Sequence, residues 1–97
     1  MPAYLIVYRD SPVRDEAAFA EYQRRNRETD ATAFKITPLV VYGAVHPLEG
    51  QAPDGVVMLQ FPTVEDAKAW YESPAYQAAL PHRLSSADYR TIIVEGL

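Results

Sequence analysis

His82 and Arg83 stand side by side in the second half of the chain, and they carry its best catalytic chemistry. Histidine exchanges protons near neutrality. A guanidinium fixes a carboxylate or enolate through its paired N–H donors. Together they make a candidate acid/base and a candidate anion anchor, with the Tyr76 hydroxyl as a donor to an oxyanion. Adjacent residues do not share a helical face, so both reach one ligand only where the helix is irregular. Pro81, immediately before them, is expected to kink or end that helix. A plainer account competes and carries more weight for each: a surface histidine, and an arginine that closes a helix end or meets an acid.

Trp70, Tyr71 and Tyr76 form an aromatic group that would wall a pocket for a small planar ligand. Core packing with the hydroxyls bonded at the rim explains them as well, and is preferred. Ser73 is a candidate contact but serves first as a helix N-cap, with no base beside it in sequence. Tyr42 and His46, from the second predicted strand, complete the candidate ligand contacts. The chain has only two histidines and neither lies in a metal-binding motif, so no metal and no cofactor is expected. Glu65 and Asp66 resemble a carboxylate pair, yet they fall in a first helical turn, where negative charge complements the dipole. The absence of cysteine excludes disulfides, iron–sulfur clusters and thiol catalysis.

These side chains depend on a simple succession of elements. Ala3 to Arg9 reads as a strand around the apolar run Tyr4-Leu5-Ile6-Val7-Tyr8. A helix opens at Ser11-Pro12 or at Asp15 and turns Ala18, Phe19 and Tyr22 inward. The stretch from Asp30 to Thr37 has little pattern. A second strand is expected from Pro38 to Leu48, at a sheet edge because of its prolines and Gly43. Turn chemistry fills Glu49 to Gly55, and a third strand follows from Val56 to Phe61. Thr63 is a helix N-cap, with Val64, Ala67, Trp70 and Tyr71 facing inward. Ser73-Pro74 stops that helix and starts another, since serine suits the cap and proline the first helical position. Tyr76, Ala79 and Leu80 continue the apolar stripe, and Tyr89 to Glu95 is the last strand.

The order βαββαβ predicts an α+β, ferredoxin-like fold: a four-stranded antiparallel sheet with its helices on one face. Residues 1–97 make a single domain in this reading. Its first and third strands are central and almost continuously apolar. A strand exposed on one face should alternate, whereas one covered on both need not. A second copy packed on the open sheet face, giving a homodimer, is the simplest cover. The net charge of −4 disfavours nucleic acid as a partner. Arg24, Arg25 and Arg27 read as a solvated helix face. Apolar runs fall far short of the roughly 20 residues of a membrane span. No secretory leader is evident, so a cytoplasmic location is expected.

Phe61-Pro62-Thr63, Ala67, Trp70-Tyr71, Ser73-Pro74, Tyr76-Gln77, Arg83 and Val94-Glu95-Gly96, with Leu48-Glu49-Gly50, carry a resemblance over nearly the whole chain. It is to the bacterial domain of unknown function 1330 family, within the dimeric α+β-barrel superfamily. Tyr42 stands where that family often has an arginine, so any anion-binding role of that arginine does not transfer. The resemblance implies a fold and a dimer. Its superfamily includes cofactor-independent monooxygenases, isomerases, polyketide cyclases, heme enzymes and non-catalytic modules, and fold alone does not choose among them. The leading expectation is a small-molecule site for an aromatic or anionic ligand, with a cofactor-independent isomerase or cyclase as its enzymatic form. A cofactor-independent monooxygenase and a non-catalytic ligand-binding or regulatory dimer are the alternatives.

Overall fold

The computed structural model describes residues 1–29 and 33–97. Of the unpatterned stretch expected from Asp30 to Thr37, Asp30, Ala31 and Thr32 lie outside the described residues. Strand β1 (Ala3–Arg9) and strand β3 (Gly55–Phe61) form the centre of one antiparallel sheet, flanked by β2 (Thr37–Val41) and β4 (Tyr89–Glu95) in the order β2-β3-β1-β4. Helices α1 (Glu16–Arg27), α2 (Val64–Glu72) and α3 (Pro74–Ser86) complete a βαββααβ chain order. This is the expected ferredoxin-like architecture with its second helix split in two.

Register explains which residues reach the helices. Leu5 lies opposite Leu59 and Ile93, and Val7 opposite Val57 and Thr91. Side chains alternate along a strand, so these residues share one face while Tyr4, Ile6 and Tyr8 share the other. Leu5 and Val7 are buried and join Phe61, Ala67, Trp70, Tyr76 and Leu80 in the core. The other face carries Ile6 between Met58 and Ile92, with Val40 beyond Met58 and Val94 opposite Tyr4. None of these residues joins the core beneath the helices, so the unbroken apolar run in β1 supplies both faces of the sheet.

The helix ends follow their caps. Asp15 accepts a hydrogen bond from the Ala18 amide at 3.0 Å, which selects Asp15 over Ser11-Pro12 as the start of α1. Thr63 Oγ1 accepts from the Asp66 amide at 3.1 Å. Ser73 does two tasks: its hydroxyl donates to the Trp70 carbonyl at 2.7 Å and accepts from the Tyr76 amide at 3.3 Å. One residue thereby closes α2 and opens α3, with Pro74 first in the new helix.

Two expectations require correction. Pro81 does not end α3, which runs on to Ser86. Tyr76, Ala79, Leu80, Arg83 and Ser86 form one continuous buried stripe, and packing along it holds the helix through the lost hydrogen bond. Strand β2 stops at Val41 rather than reaching Leu48, because Tyr42 adopts a left-handed backbone at φ 55° that leaves the extended path. Gly43 and His46 therefore lie beyond the strand. Among the described residues, no helix is long and apolar enough to cross a membrane.

Candidate functional site

A cavity of about 380 Å³ opens between α1, α3 and the helix-facing side of the sheet. Its sheet wall is apolar, built from Leu5, Val7, Val57 and Leu59, with Ile36 and Val41 at the β2 side. Its helix wall is different in kind: Tyr22, Trp70, Tyr76 and Arg83, with Tyr42 at the end of β2. The last turn of α1 supplies a polar mouth through Gln23, Asn26 and Arg27, followed by Thr29. This volume falls in the range of small-ligand sites.

Helical spacing delivers the polar wall. Arg83 lies seven residues after Tyr76, two turns along α3, and so occupies the buried stripe that Ala79 and Leu80 define. Only 3% of Arg83 is exposed. Its guanidinium sits 5.0 Å from the Tyr89 ring and 6.0 Å from the Tyr22 ring, and Nη1 donates to Thr91 Oγ1 at 3.3 Å. The Nε–H is buried with no acceptor. Among the described residues no carboxylate pairs with this cation. Desolvating a charge costs several kcal/mol. Ring contacts to a cation return about 0.5–2 kcal/mol each. The guanidinium is thus held in a place where an anion would be favoured.

The phenols around it act as donors. Tyr22 and Tyr76 hydroxyls share a hydrogen bond at 3.0 Å across α1 and α3. Burial, then the neighbouring Tyr76, pushes the Tyr22 phenol far above its ordinary range. Burial also raises Tyr76, against the opposing pull of Arg83 and of the Tyr22 bond. Tyr42 is pushed up to about 12 by burial, with Tyr89 as the second cause. All three stay protonated at neutral pH. No carboxylate or histidine occurs among the described residues that line the cavity, so the wall offers donors and one positive charge but no base.

Four of the expected site residues therefore meet: Arg83, Tyr76, Trp70 and Tyr42. His82 does not join them. Because α3 continues through Pro81, His82 is rotated by about 100° from Arg83, and it is half-buried outside the cavity lining. Tyr71 packs its ring 5.5 Å from Tyr76 and is not among the residues that line the cavity. Ser73 is engaged by the helix junction, and His46 is exposed beyond β2. Sequence reasoning missed Tyr22 and Asn26 as site residues. Their spacing from Phe19, three and seven positions on, marks one face of α1, but nothing local shows that Tyr22 meets Tyr76 across 54 positions. Among the described residues, no group of three acids or histidines is placed to hold a metal ion.

Tyr42 closes the cavity at the β2 end. Its ring lies 6.2 Å from Phe19, and the Arg9 guanidinium stacks 5.3 Å from it. Gly55 makes room for that ring: a Cβ there would meet Tyr42 Cδ1 at 2.7 Å.

A family model described as domain of unknown function (DUF1330) matches residues 2–97. No curated protein matches the chain. Several solved structures share the fold. A protein of unknown function from Rhodopseudomonas palustris is 18% identical, with a TM-score of 0.66 over 99% of this chain and 82% of its own. A dimeric ferredoxin-like protein of unknown function from Jannaschia sp. CCS1 is 12% identical, with a TM-score of 0.69 over 99% of this chain and all (100%) of its own. A proposed antibiotic biosynthesis monooxygenase from Nitrosomonas europaea is 16% identical, with a TM-score of 0.57 over 99% and 90%. At such identities the likeness concerns the fold.

Proposed function

The chain belongs to the domain of unknown function 1330 family, and from that premise we propose that it binds a small organic anion with an apolar or aromatic body. The carboxylate or enolate oxygens rest on Arg83, and the body lies against Leu5, Val7, Val57 and Leu59. The observation that carries this reading is the Arg83 guanidinium, 3% exposed, with a buried Nε–H that has no acceptor. An anion on that group converts an incompletely solvated charge into a charge-assisted pair, the strong class of hydrogen bond. The protonated phenols of Tyr22 and Tyr76 add donors on the same wall, and the apolar sheet excludes water from the contact.

The same donor set weighs on the reaction class. An isomerase or cyclase using His82 as acid/base gains no support, because His82 lies outside the cavity lining. A wall of donors without a base suits holding an anion that arrives deprotonated. That chemistry serves a binding module directly. It also serves a cofactor-independent monooxygenase whose substrate forms its own stabilised carbanion, the reading that the Nitrosomonas structure's name suggests. Binding is the conclusion drawn here, and oxygen chemistry is its extension.

The chain acts as a homodimer in this proposal. The open sheet face gathers Tyr4, Ile6, Tyr8, Val40, Val56, Met58, Ile92 and Val94, and Ile92 and Val94 remain 43% and 44% exposed. A second copy seated there would bury an apolar face that none of the described elements covers. The neighbours named as dimeric share the sheet that would form the interface.

Trp70 is the only tryptophan and lines the cavity, so its fluorescence reports occupancy. Titration with phenylacetate should change that emission, while the neutral phenylacetamide should bind at least tenfold more weakly. Arg83→Gln should remove roughly ten- to hundredfold of the phenylacetate affinity, the worth of one charge-assisted contact. Equal binding of acid and amide, or an unchanged affinity in a folded Arg83→Gln protein, would sink the reading.

A further inference from the structure

Unpartnered donors outnumber unpartnered acceptors around the cavity, where Asn26 Oδ1 is a buried acceptor without a partner. Two residues that line it carry a buried N–H with no acceptor, Arg83 at Nε and Trp70 at Nε1, and each residue is 3% exposed. A third donor follows from counting protons at the phenol pair. Two hydroxyls bring two protons, their mutual bond uses one, and no other acceptor is present for either hydroxyl among the described residues. The three groups are contiguous: the Trp70 ring lies 4.1 Å from Tyr76, Tyr76 bonds Tyr22, and the Tyr22 ring lies beneath Arg83. Buried donors are matched in folded proteins, and those that are not ask for a partner.

We propose that the ligand is an oxo-acid: a carboxylate that carries a carbonyl oxygen on the same small apolar frame. This rests on the anion-binding reading above and goes beyond it. Arg83 Nε takes the carboxylate. Trp70 Nε1 and the spare phenol proton converge on the carbonyl oxygen, which a simple acid lacks. Trp70 and Tyr76 are then the residues that set specificity, and Arg83 sets affinity for any acid. Polarising the carbonyl from two donors also favours the enolate of such a ligand over its keto form, which links the site to carbanion chemistry.

Calorimetric titration of the intact protein with matched pairs tests this. Benzoylformate against phenylacetate places the carbonyl beside the carboxylate. 3-Benzoylpropanoate against 4-phenylbutanoate places it farther away. The oxo-acid of at least one pair should bind roughly five- to tenfold tighter, the worth of one or two added hydrogen bonds. Trp70→Phe should erase the preference while leaving the simple acid bound, and Tyr76→Phe supplies the same test should the tryptophan variant fail to fold. Arg83→Gln should weaken both members of a pair alike. Equal affinities within both pairs would overturn the oxo-acid assignment and leave anion binding standing. So would a preference that persists in the folded Trp70→Phe and Tyr76→Phe proteins. Failure of every acid to bind would overturn the anion-binding reading and this inference with it.

Discussion

Burying a guanidinium among rings, with one side-chain hydrogen bond and no carboxylate, leaves part of its solvation unmet. Arg83 is in that position because seven residues separate it from Tyr76 on α3, not because of its neighbour His82. The Tyr42–Gly55 contact is the second residue-scale feature of the site. Tyr42 holds a left-handed backbone, φ 55°, that costs a bulky residue about 1–3 kcal/mol. Its ring survives there because Gly55 offers no Cβ. Gly55→Ala should destabilise the protein by about 1–3 kcal/mol through overpacking, read as a lower urea midpoint. In a Tyr42→Ala background the same substitution should cost less than about 0.5 kcal/mol, because the clash has been removed. Equal costs in both backgrounds would show that the ring does not depend on Gly55.

The junction at Ser73 decides how the elements present the site. Its hydroxyl stops α2 at the Trp70 carbonyl and starts α3 at the Tyr76 amide, so one side chain sets the angle at which both aromatic rings meet. Ser73→Ala should cost about 1 kcal/mol as a lost N-cap, seen as a lower thermal midpoint. It should also disturb the near-ultraviolet signal of Trp70, whereas a cap with no role in the site would leave that signal intact. Much at this scale was legible in the residues. The strand runs, Thr63, Ser73-Pro74 and the inward faces of α1 and α2 all follow from local rules. Of the two outcomes expected at Pro81, a kink or an end, the end does not occur, because the rule for proline counts one lost hydrogen bond while the buried stripe through Arg83 is an extended packing interaction. The length of β2 was misread because the turn at Tyr42 depends on a glycine 13 positions later, which no local pattern reveals. The cavity itself was half legible: Arg83, Tyr76, Trp70 and Tyr42 could be named, but the Tyr22–Tyr76 bond requires the fold.

For the whole molecule the issue is what covers the second face of the sheet. The apolar continuity of β1 has one physical explanation on the helix side, where Leu5 and Val7 are buried, and needs another for Tyr4, Ile6 and Tyr8. In the proposed homodimer a second copy supplies it. Ile6→Arg, at the centre of that face, should convert a dimer to a monomer in sedimentation velocity at micromolar concentration while the fold persists by circular dichroism. A wild-type monomer under those conditions would remove the dimer from the account. The cavity lies on the opposite face, so ligand binding per chain should survive in the Ile6→Arg protein.

The most direct test of the central claim is a crystal structure of the protein soaked with phenylacetate. The account predicts density in the cavity between α1, α3 and the sheet, with a carboxylate oxygen within about 3 Å of Arg83 Nε and the ring on Leu5 and Val57. A carboxylate bound instead at the exposed Arg27, with Arg83 untouched and the cavity empty, would contradict it.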